Sequence, residues 1–445
     1  YEEAWKGAGR PKRMVVPVPL TLCNTRTHIN LKQPKNGRVI IVRDDEPSSI
    51  IAYTLCSEEY AEVDPFRNVQ AGALMSATTA RNLVKHTASL LLAKDKLHVE
   101  FKWPAEIGTR GDGSRSQLAV TVYFATQFAA LRRLYCAGDD TPIIRSLARC
   151  IPFRTTGGKS RAQFIKTADD RFVLKMIDGI ERKQMLGTAT KYFEHMSRVY
   201  HRDRLKRLRS TLVKILGFYK VSISKPTTGF GLASKDDVRY YVLMENLFYG
   251  HDIKVVYDLK GSRRNRYEMK KGAVQLDENL IERIQSNEGA GLFIKENAKE
   301  RLNICIHNDT VMLANCNIMD YSLLVGVNQK RGQLIIGIID YIRQYTLDKQ
   351  VEYVVKSSGV MGGKSKVPTI LPAAEYKQRF RQAMQHYFFV IPNKSSPWMM
   401  LIGNYQTLMD PVLKQELTRC TNPLQYKDNE NSDVLALAHR LTSGP

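Results

Sequence analysis

Asn317-Ile318-Met319-Asp320-Tyr321-Ser322-Leu323-Leu324-Val325-Gly326 and, further on, Gly337-Ile338-Ile339-Asp340-Tyr341-Ile342-Arg343 are two short apolar runs, each carrying an aspartate. Asn328-Gln329-Lys330-Arg331-Gly332 between them has the polarity and the glycine of a hairpin loop, so the runs are expected to pair antiparallel. Asp320 lies ten residues before Lys330 and Asp340 ten after it, so folding the ribbon at its middle brings both carboxylates to one end. Neighbouring strands run about 5 Å apart, within reach of one shared phosphate or magnesium ion. A lone aspartate beside a strand is ordinarily a turn residue. Two at the same end of an apolar ribbon suit phosphoryl transfer, one orienting the attacking hydroxyl and taking its proton, the other holding the metal on a triphosphate.

With 445 residues, 43% of them hydrophobic, the chain can build a large core, and two lobes with peripheral segments are expected. It starts at Tyr1, which reads as a piece of something longer. Seven scattered cysteines without a CxxC pair favour a reducing compartment and no structural zinc. No apolar run approaches the roughly 18 residues of a membrane span and no signal peptide is visible, so a soluble or peripheral protein is expected. The formal charge of +23, from 67 basic and 44 acidic residues, calls for a polyanionic partner: nucleic acid, an acidic membrane surface or phosphorylated substrates. No zinc-finger spacing or RNP motif supports nucleic acid.

Residues 1–37 read as a basic arm. Arg38-Val39-Ile40-Ile41-Val42 reads as a strand, and Asp44-Asp45-Glu46-Pro47 as the start of a helix continuing from Ile50 to Tyr60. Strands over Leu97–Trp103 and Leu118–Tyr123 and helices over Phe128–Tyr135 and Pro142–Leu147 assemble a β-rich small lobe. Thr155-Thr156-Gly157-Gly158-Lys159-Ser160 precedes a strand at Gln163–Lys166 and another at Arg171–Ile177. A P-loop would need glycine at Phe153 and a helix after Lys159; a glycine-rich turn between strands suits instead the phosphate flap of kinases, where backbone approaches the ligand. Lys175 shares a face with Val173 and Ile177, so it is either an exposed strand lysine or an inward one that holds ATP phosphates. Glu181, opening a helix that reaches Val199, is its candidate ion-pair partner.

The strand Val238–Met244 leads into Glu245-Asn246-Leu247, a polar hinge into the second lobe. Lys260, Arg263, Arg264 and Arg266 then form a cationic turn, either a solvated loop or an anion site. His307-Asn308-Asp309 imitates the catalytic triplet of protein kinases, but Ala314 stands where their metal-binding asparagine belongs, and Asp309 is read as a helix cap.

Taken in order, Gly157-Gly158-Lys159-Ser160, Phe172-Val173-Leu174-Lys175, Asp258-Leu259-Lys260-Gly261-Ser262, Asp320-Tyr321-Ser322-Leu323-Leu324-Val325-Gly326 and Ile338-Ile339-Asp340 resemble the motifs of phosphatidylinositol phosphate kinases. The type III branch, the phosphatidylinositol 3-phosphate 5-kinases, is indicated by Arg43-Asp44-Asp45-Glu46-Pro47-Ser48-Ser49, by Met244-Glu245-Asn246-Leu247-Phe248-Tyr249-Gly250 and by Tyr345-Thr346-Leu347-Asp348-Lys349 leading into Val354-Val355-Lys356-Ser357. The resemblance covers residues 38–397 and implies a two-lobed α/β fold, an antiparallel-sheet N-lobe at residues 38–246 and a mixed C-lobe at 247–397, with a tail at 398–445. The flap departs from the family in continuing Ser160-Arg161-Ala162 where Ser-Gly is usual.

The resemblance further implies ATP and Mg2+ as cofactors, and roles for single residues. Gly157, Gly158, Lys159 and Ser160 would cover the nucleotide, Lys175 would hold its phosphates, and Met244, Glu245, Asn246 and Leu247 would border it. Lys260 would contact the transferring phosphate, Asp320 would act on the inositol hydroxyl and Asp340 would hold magnesium. Arg263, Arg264 and Arg266, with Lys356, Lys364 and Lys366 of the loop at 343–368, would meet the lipid headgroup. It implies phosphatidylinositol 3-phosphate as acceptor, with phosphatidylinositol 4-phosphate or a catalytically inactive scaffold as alternatives. For the parent protein it implies peripheral attachment to endosomal or vacuolar membranes, with scaffold and phosphoinositide phosphatase partners. The zinc-binding FYVE module and chaperonin-like region of that branch are not in this stretch.

The charge generates a first prediction. Binding to anionic vesicles, followed by co-sedimentation, is expected to fall steeply between physiological salt and 1 M, as the Debye length shrinks from about 8 Å to about 3 Å. Each lysine or arginine at such a surface contributes about 1 kcal/mol, so a few suffice. Salt-insensitive binding would mean an apolar anchor.

Overall fold

The computed structural model describes residues 28–30, 42–43, 46–66, 86–93, 98–107, 116–136, 141–153, 163–201, 210–224, 237–270, 272–286, 291–344 and 371–391. The flap at Gly157–Ser160, the lysines Lys356, Lys364 and Lys366, most of the arm and the whole tail lie outside these residues.

The first lobe is one antiparallel sheet of nine strands: β1 (His28–Asn30), β2 (Val42–Arg43), β3 (Val99–Ile107), β4 (Ser116–Val122), β5 (Cys150–Phe153), β6 (Phe164–Thr167), β7 (Phe172–Ile177), β8 (Ile215–Ser224) and β9 (Asp237–Glu245). Their order is β2-β1-β3-β4-β8-β9-β7-β6-β5. The second lobe contains β10 (Val255–Leu259), β11 (Leu292–Lys295), β12 (Ser322–Asn328), β13 (Gln333–Ile339) and β14 (Phe388–Ile391), arranged as an antiparallel sheet β10-β12-β13 and a parallel pair β11-β14. Helices among the described residues include α1 (Pro47–Cys56), α2 (Glu58–Val63), α3 (Ala125–Tyr135), α4 (Thr141–Leu147), α5 (Gly179–His201), α6 (Asp277–Gln285), α7 (Glu296–Asn315) and α8 (Ala373–Tyr387). An antiparallel first lobe and a mixed second lobe are the expected α/β architecture.

Aromatic side chains weld the helices to the first sheet. Phe193 of α5 meets Phe124 at 5.5 Å and Phe128 of α3 at 5.0 Å, edge to face, and all three rings are buried. The start of α5 is written locally: the Asp178 carboxylate accepts from the backbone N–H of Ile180 and Glu181, while Glu181 Oε2 accepts from the Asp178 N–H. That reciprocal box fixes the first turn of the helix and, with it, the place of Glu181.

Two expectations need correction, and a third lies mostly outside the described residues. The helix expected over Ile50–Tyr60 is two helices, because Ser57 leaves the helical region (φ −71°, ψ 157°) and its hydroxyl accepts from the Tyr60 N–H, capping α2. Of the strand expected at residues 38–42, Val42 alone lies among the described residues, in the two-residue β2. Asp309 is no cap: it sits inside α7, fully buried.

The hairpin forms as expected, Ser322 pairing with Ile339 and Asn328 with Gln333, around a 3-10 turn at Gln329–Arg331 closed by Gly332 in the left-handed region (φ 58°). Across β12, Leu323 pairs with Leu259, so β10 ends at the same end of the sheet as the two aspartates. The turn leaving β10 is pressed against α8. Gly261 has φ +69°, and a Cβ there would lie 2.7 Å from Ala383 Cβ and 3.1 Å from the Arg379 carbonyl oxygen. Both the conformation and the space demand glycine, so Gly261→Ala is expected to cost about 2 kcal/mol or more, measured as a lowered urea midpoint.

Candidate active site

Four charged side chains from both lobes meet at the end of the β10-β12-β13 sheet. Lys260, the residue after β10, donates from Nζ to Asp320 Oδ1 at 2.6 Å and to the Asp320 carbonyl oxygen at 2.8 Å. Lys175, from the middle of β7, donates to Asp340 Oδ1 at 3.1 Å and stands 3.5 Å from Glu181 Oε1. Arg343 Nε reaches the same Glu181 oxygen at 3.3 Å. Asp320 and Asp340 flank the hairpin with φ of 66° and 59°, left-handed conformations that aspartate tolerates better than most residues. Such strain held at a strand end is characteristic of functional positions.

The electrostatics follow from burial. The Lys175 side chain is 6% exposed, whereas that of Asp340 is 45% exposed. Burial works against the Lys175 charge, but Asp340 first and Glu181 second outweigh it, and its ammonium is held above the ordinary lysine value. For Asp340, burial pushes the carboxyl up, yet Lys175 foremost, then Lys260 and Arg343, hold it below the usual carboxylate range. An ionised carboxylate, half open to solvent, with one oxygen engaged by Lys175, is a hard oxygen ligand. Among the described residues no cluster of three His, Cys, Asp or Glu surrounds an ion site. This donor set suits Mg2+, which keeps waters and substrate phosphates as ligands and takes only one or two carboxylates from the protein.

The hinge residues lie beside Lys175 on the neighbouring strand: Lys175 pairs with Val242, Val173 with Met244 and Phe172 with Glu245. Their polar side chains are engaged within the protein. Glu245 Oε1 accepts from the Lys214 N–H at 2.8 Å, and Asn246 donates to the Asp170 carbonyl at 2.7 Å. Leu247 packs against Gly337 of the hairpin. Backbone N–H groups of the hinge are engaged as well, Glu245 donating to the Lys214 carbonyl at 3.0 Å and Asn246 to the Arg171 carbonyl at 2.9 Å.

The cationic turn divides. Arg266 is 12% exposed and holds the turn together, donating to Asp258 Oδ1 at 2.6 Å and Asp277 Oδ2 at 2.8 Å. Burial opposes its charge, and Asp277 and Asp258 more than restore it. The structure thus gives Arg266 a structural task within the turn. Arg263 and Arg264 are half-buried, Arg263 Nε lying 3.8 Å from Glu278 Oε1.

Sequence reasoning missed Asp277. Fully buried, it accepts from the backbone N–H of Lys260 and Gly261, from Arg266 and from the Tyr387 hydroxyl at 3.0 Å, and so fixes the backbone from which Lys260 reaches Asp320. The only trace in the sequence is an acid opening α6, which reads as an ordinary helix start. Removing it takes one of two carboxylates from a buried guanidinium and leaves the Lys260 and Gly261 N–H groups without that acceptor, so Asp277→Ala is expected to lose about 3 kcal/mol of stability in denaturant unfolding.

A family profile described as phosphatidylinositol-4-phosphate 5-kinase matches residues 149–334 and 329–387, over half of the chain. The 1-phosphatidylinositol-3-phosphate 5-kinase FAB1A of Arabidopsis thaliana is 37% identical over 402 residues, which are 83% of this chain and 22% of that protein. The corresponding values are 37% over 286 residues (63% and 12%) for the 1-phosphatidylinositol 3-phosphate 5-kinase FAB1 of Saccharomyces cerevisiae, and 38% over 278 residues (61% and 13%) for the 1-phosphatidylinositol 3-phosphate 5-kinase of Homo sapiens. The chain spans less than a quarter of the length of these relatives. The two lysine–aspartate pairs at one sheet end and the extent of the match lead to one conclusion: this chain belongs to the phosphatidylinositol-4-phosphate 5-kinase family.

Proposed function

We propose that this chain is a lipid kinase core that transfers the γ-phosphoryl group of ATP to the 5-hydroxyl of phosphatidylinositol 3-phosphate, giving the 3,5-bisphosphate. The observation that carries the chemistry is the convergence of Lys260–Asp320 with Lys175–Asp340 at one end of a sheet. The choice of acceptor rests on relatives named for phosphatidylinositol 3-phosphate.

Each side chain has a task. Lys175, pinned between Asp340 and Glu181, presents a fixed positive charge to the α and β phosphates. Asp340 would hold Mg2+, which when bound would supply positive charge against the charge developing on the phosphates. Asp320 has an oxygen, Oδ2, that Lys260 does not take; it orients the inositol hydroxyl and accepts its proton. Lys260, already at that carboxylate, is placed to swing toward the transferring phosphoryl group as its charge spreads over the equatorial oxygens. Gly157, Gly158, Lys159 and Ser160, outside the described residues, are assigned to the nucleotide by resemblance. Arg263, Arg264 and the lysines Lys356, Lys364 and Lys366 meet the phosphorylated headgroup. No helix among the described residues is long and apolar enough to cross a membrane, and attachment to endosomal or vacuolar membranes through basic residues fits the net charge of +23.

Radiolabelled ATP offered with a panel of phosphoinositides, products resolved by headgroup isomer, tests the reading. A 3,5-bisphosphate product supports it; a 4,5-bisphosphate alone would assign the acceptor to phosphatidylinositol 4-phosphate, and no product would mean a scaffold. Asp340→Asn and Asp320→Asn are each expected to lower kcat by about three orders of magnitude, roughly 4 kcal/mol of barrier, with the fold retained by circular dichroism. Near-wild-type turnover in both would remove these two carboxylates from the mechanism.

A further inference from the structure

Asp309, part of a triplet that only imitates a catalytic loop, is a fully buried carboxylate with partners from two other segments of the chain. Its Oδ1 lies 2.7 Å from Nε2 of His195, itself buried on α5. Its Oδ2 accepts from the Thr211 backbone N–H at 2.6 Å and the Thr211 hydroxyl at 2.7 Å. A buried carboxylate is costly to desolvate, and two Thr211 donors together with the His195 ring nitrogen compensate it here. Such an investment in one joint, away from the reacting groups, calls for a reason.

What the joint connects supplies it. His195 is fourteen residues beyond Glu181, close to four helical turns, so the two project from nearly the same face of α5, about 21 Å apart. Between them on that face, the Tyr192 hydroxyl accepts from the Ile215 N–H at 2.8 Å, in the segment that follows Thr211. On the other side, the Thr211 carbonyl accepts from the Ile338 N–H at 2.7 Å and Val213 donates to the Ile338 carbonyl at 3.0 Å, holding β13 two residues before Asp340. One carboxylate therefore ties the helix that carries Glu181 to the strand that leads into Asp340, the two acids that share Lys175.

We propose that Asp309, acting through His195 and Thr211, is a positioning residue for phosphoryl transfer: it sets the placement of α5 against β13 and thereby the Glu181–Lys175–Asp340 geometry. The proposal rests on the kinase reading above. Because reacting groups misplaced by about 1 Å can lose 100-fold in rate, Asp309→Ala is expected to lower kcat about 100-fold while KM for ATP stays within about threefold. Asp309→Asn, whose amide oxygen can accept from Thr211 while its NH2 donates to His195 Nε2 in the tautomer that accepts there, is expected to recover most of the loss. A purely structural role would instead lower the folded fraction, read in the same samples by circular dichroism, and leave kcat per folded molecule unchanged; that outcome overturns the proposal. Should Asp309→Ala fail to fold, Thr211→Val deletes one of the three bonds and is expected to reduce kcat several-fold, unchanged turnover again counting against the idea. Amide hydrogen exchange separates this proposal from the kinase reading. Even if the wild-type chain phosphorylates no lipid, the Val213 and Ile338 amides are expected to exchange faster in these variants than in wild type, with the β3-β4 ladder unaffected. Unaltered protection at both amides would show that Asp309 holds nothing there.

Discussion

A lysine ammonium buried in the middle of a β-sheet is tolerable only if opposite charge is brought to it, and Lys175 takes that charge from outside its own sheet. Its two carboxylates come from α5 and from Asp340, 165 residues further along the chain. The desolvation cost of the ammonium is several kcal/mol, more than an exposed ion pair returns, so the lobes are held in register by electrostatic need as well as by apolar packing. The same requirement explains why Glu181 is so firmly set. It belongs to the capping box of α5 and to ion pairs with Lys175 and Arg343, so local helix chemistry and the site use one side chain.

Lys260 is placed by a second set of charges with a division of labour. Asp277 holds the backbone of Lys260 and Gly261, Arg266 fills the space between Asp258 and Asp277, and Asp320 receives the ammonium. Gly261 lets α8 approach until its Ala383 occupies the room a side chain would need. The cationic turn is thus a built object, with its most buried arginine spent on construction and the more exposed ones, Arg263 and Arg264, left nearer the surface.

Much of this was legible in the chain. The alternation in Phe172–Ile177 puts Lys175 on the face of Val173 and Ile177 without deciding whether that face is inward, and the polar loop at Asn328–Gly332 marks the hairpin, because both signals are local and short-ranged. Errors arose where a residue had two local readings of similar weight. Ser57 can sit in a helix or cap the next one. Asp309 has the look of a cap, and only the approach of His195 and Thr211, 114 and 98 residues away, makes a mid-helix carboxylate affordable. Arg266 is indistinguishable in composition from Arg263 and Arg264 until Asp277 is folded against it.

The sequence by itself determined the α/β class, the pairing of the two hairpin runs, the two aspartates at their end and the family whose motifs the chain carries. Those follow from period-two patterning, turn chemistry and motif order. Only the tertiary structure decided which acid pairs with which base, that Asp320 and Asp340 both adopt the left-handed conformation, and that Asp277 and Asp309 are buried supports of the site. The physical reason is that the energy of a buried charge is set by its neighbours within a few ångströms, and here those neighbours come from segments up to 165 residues apart.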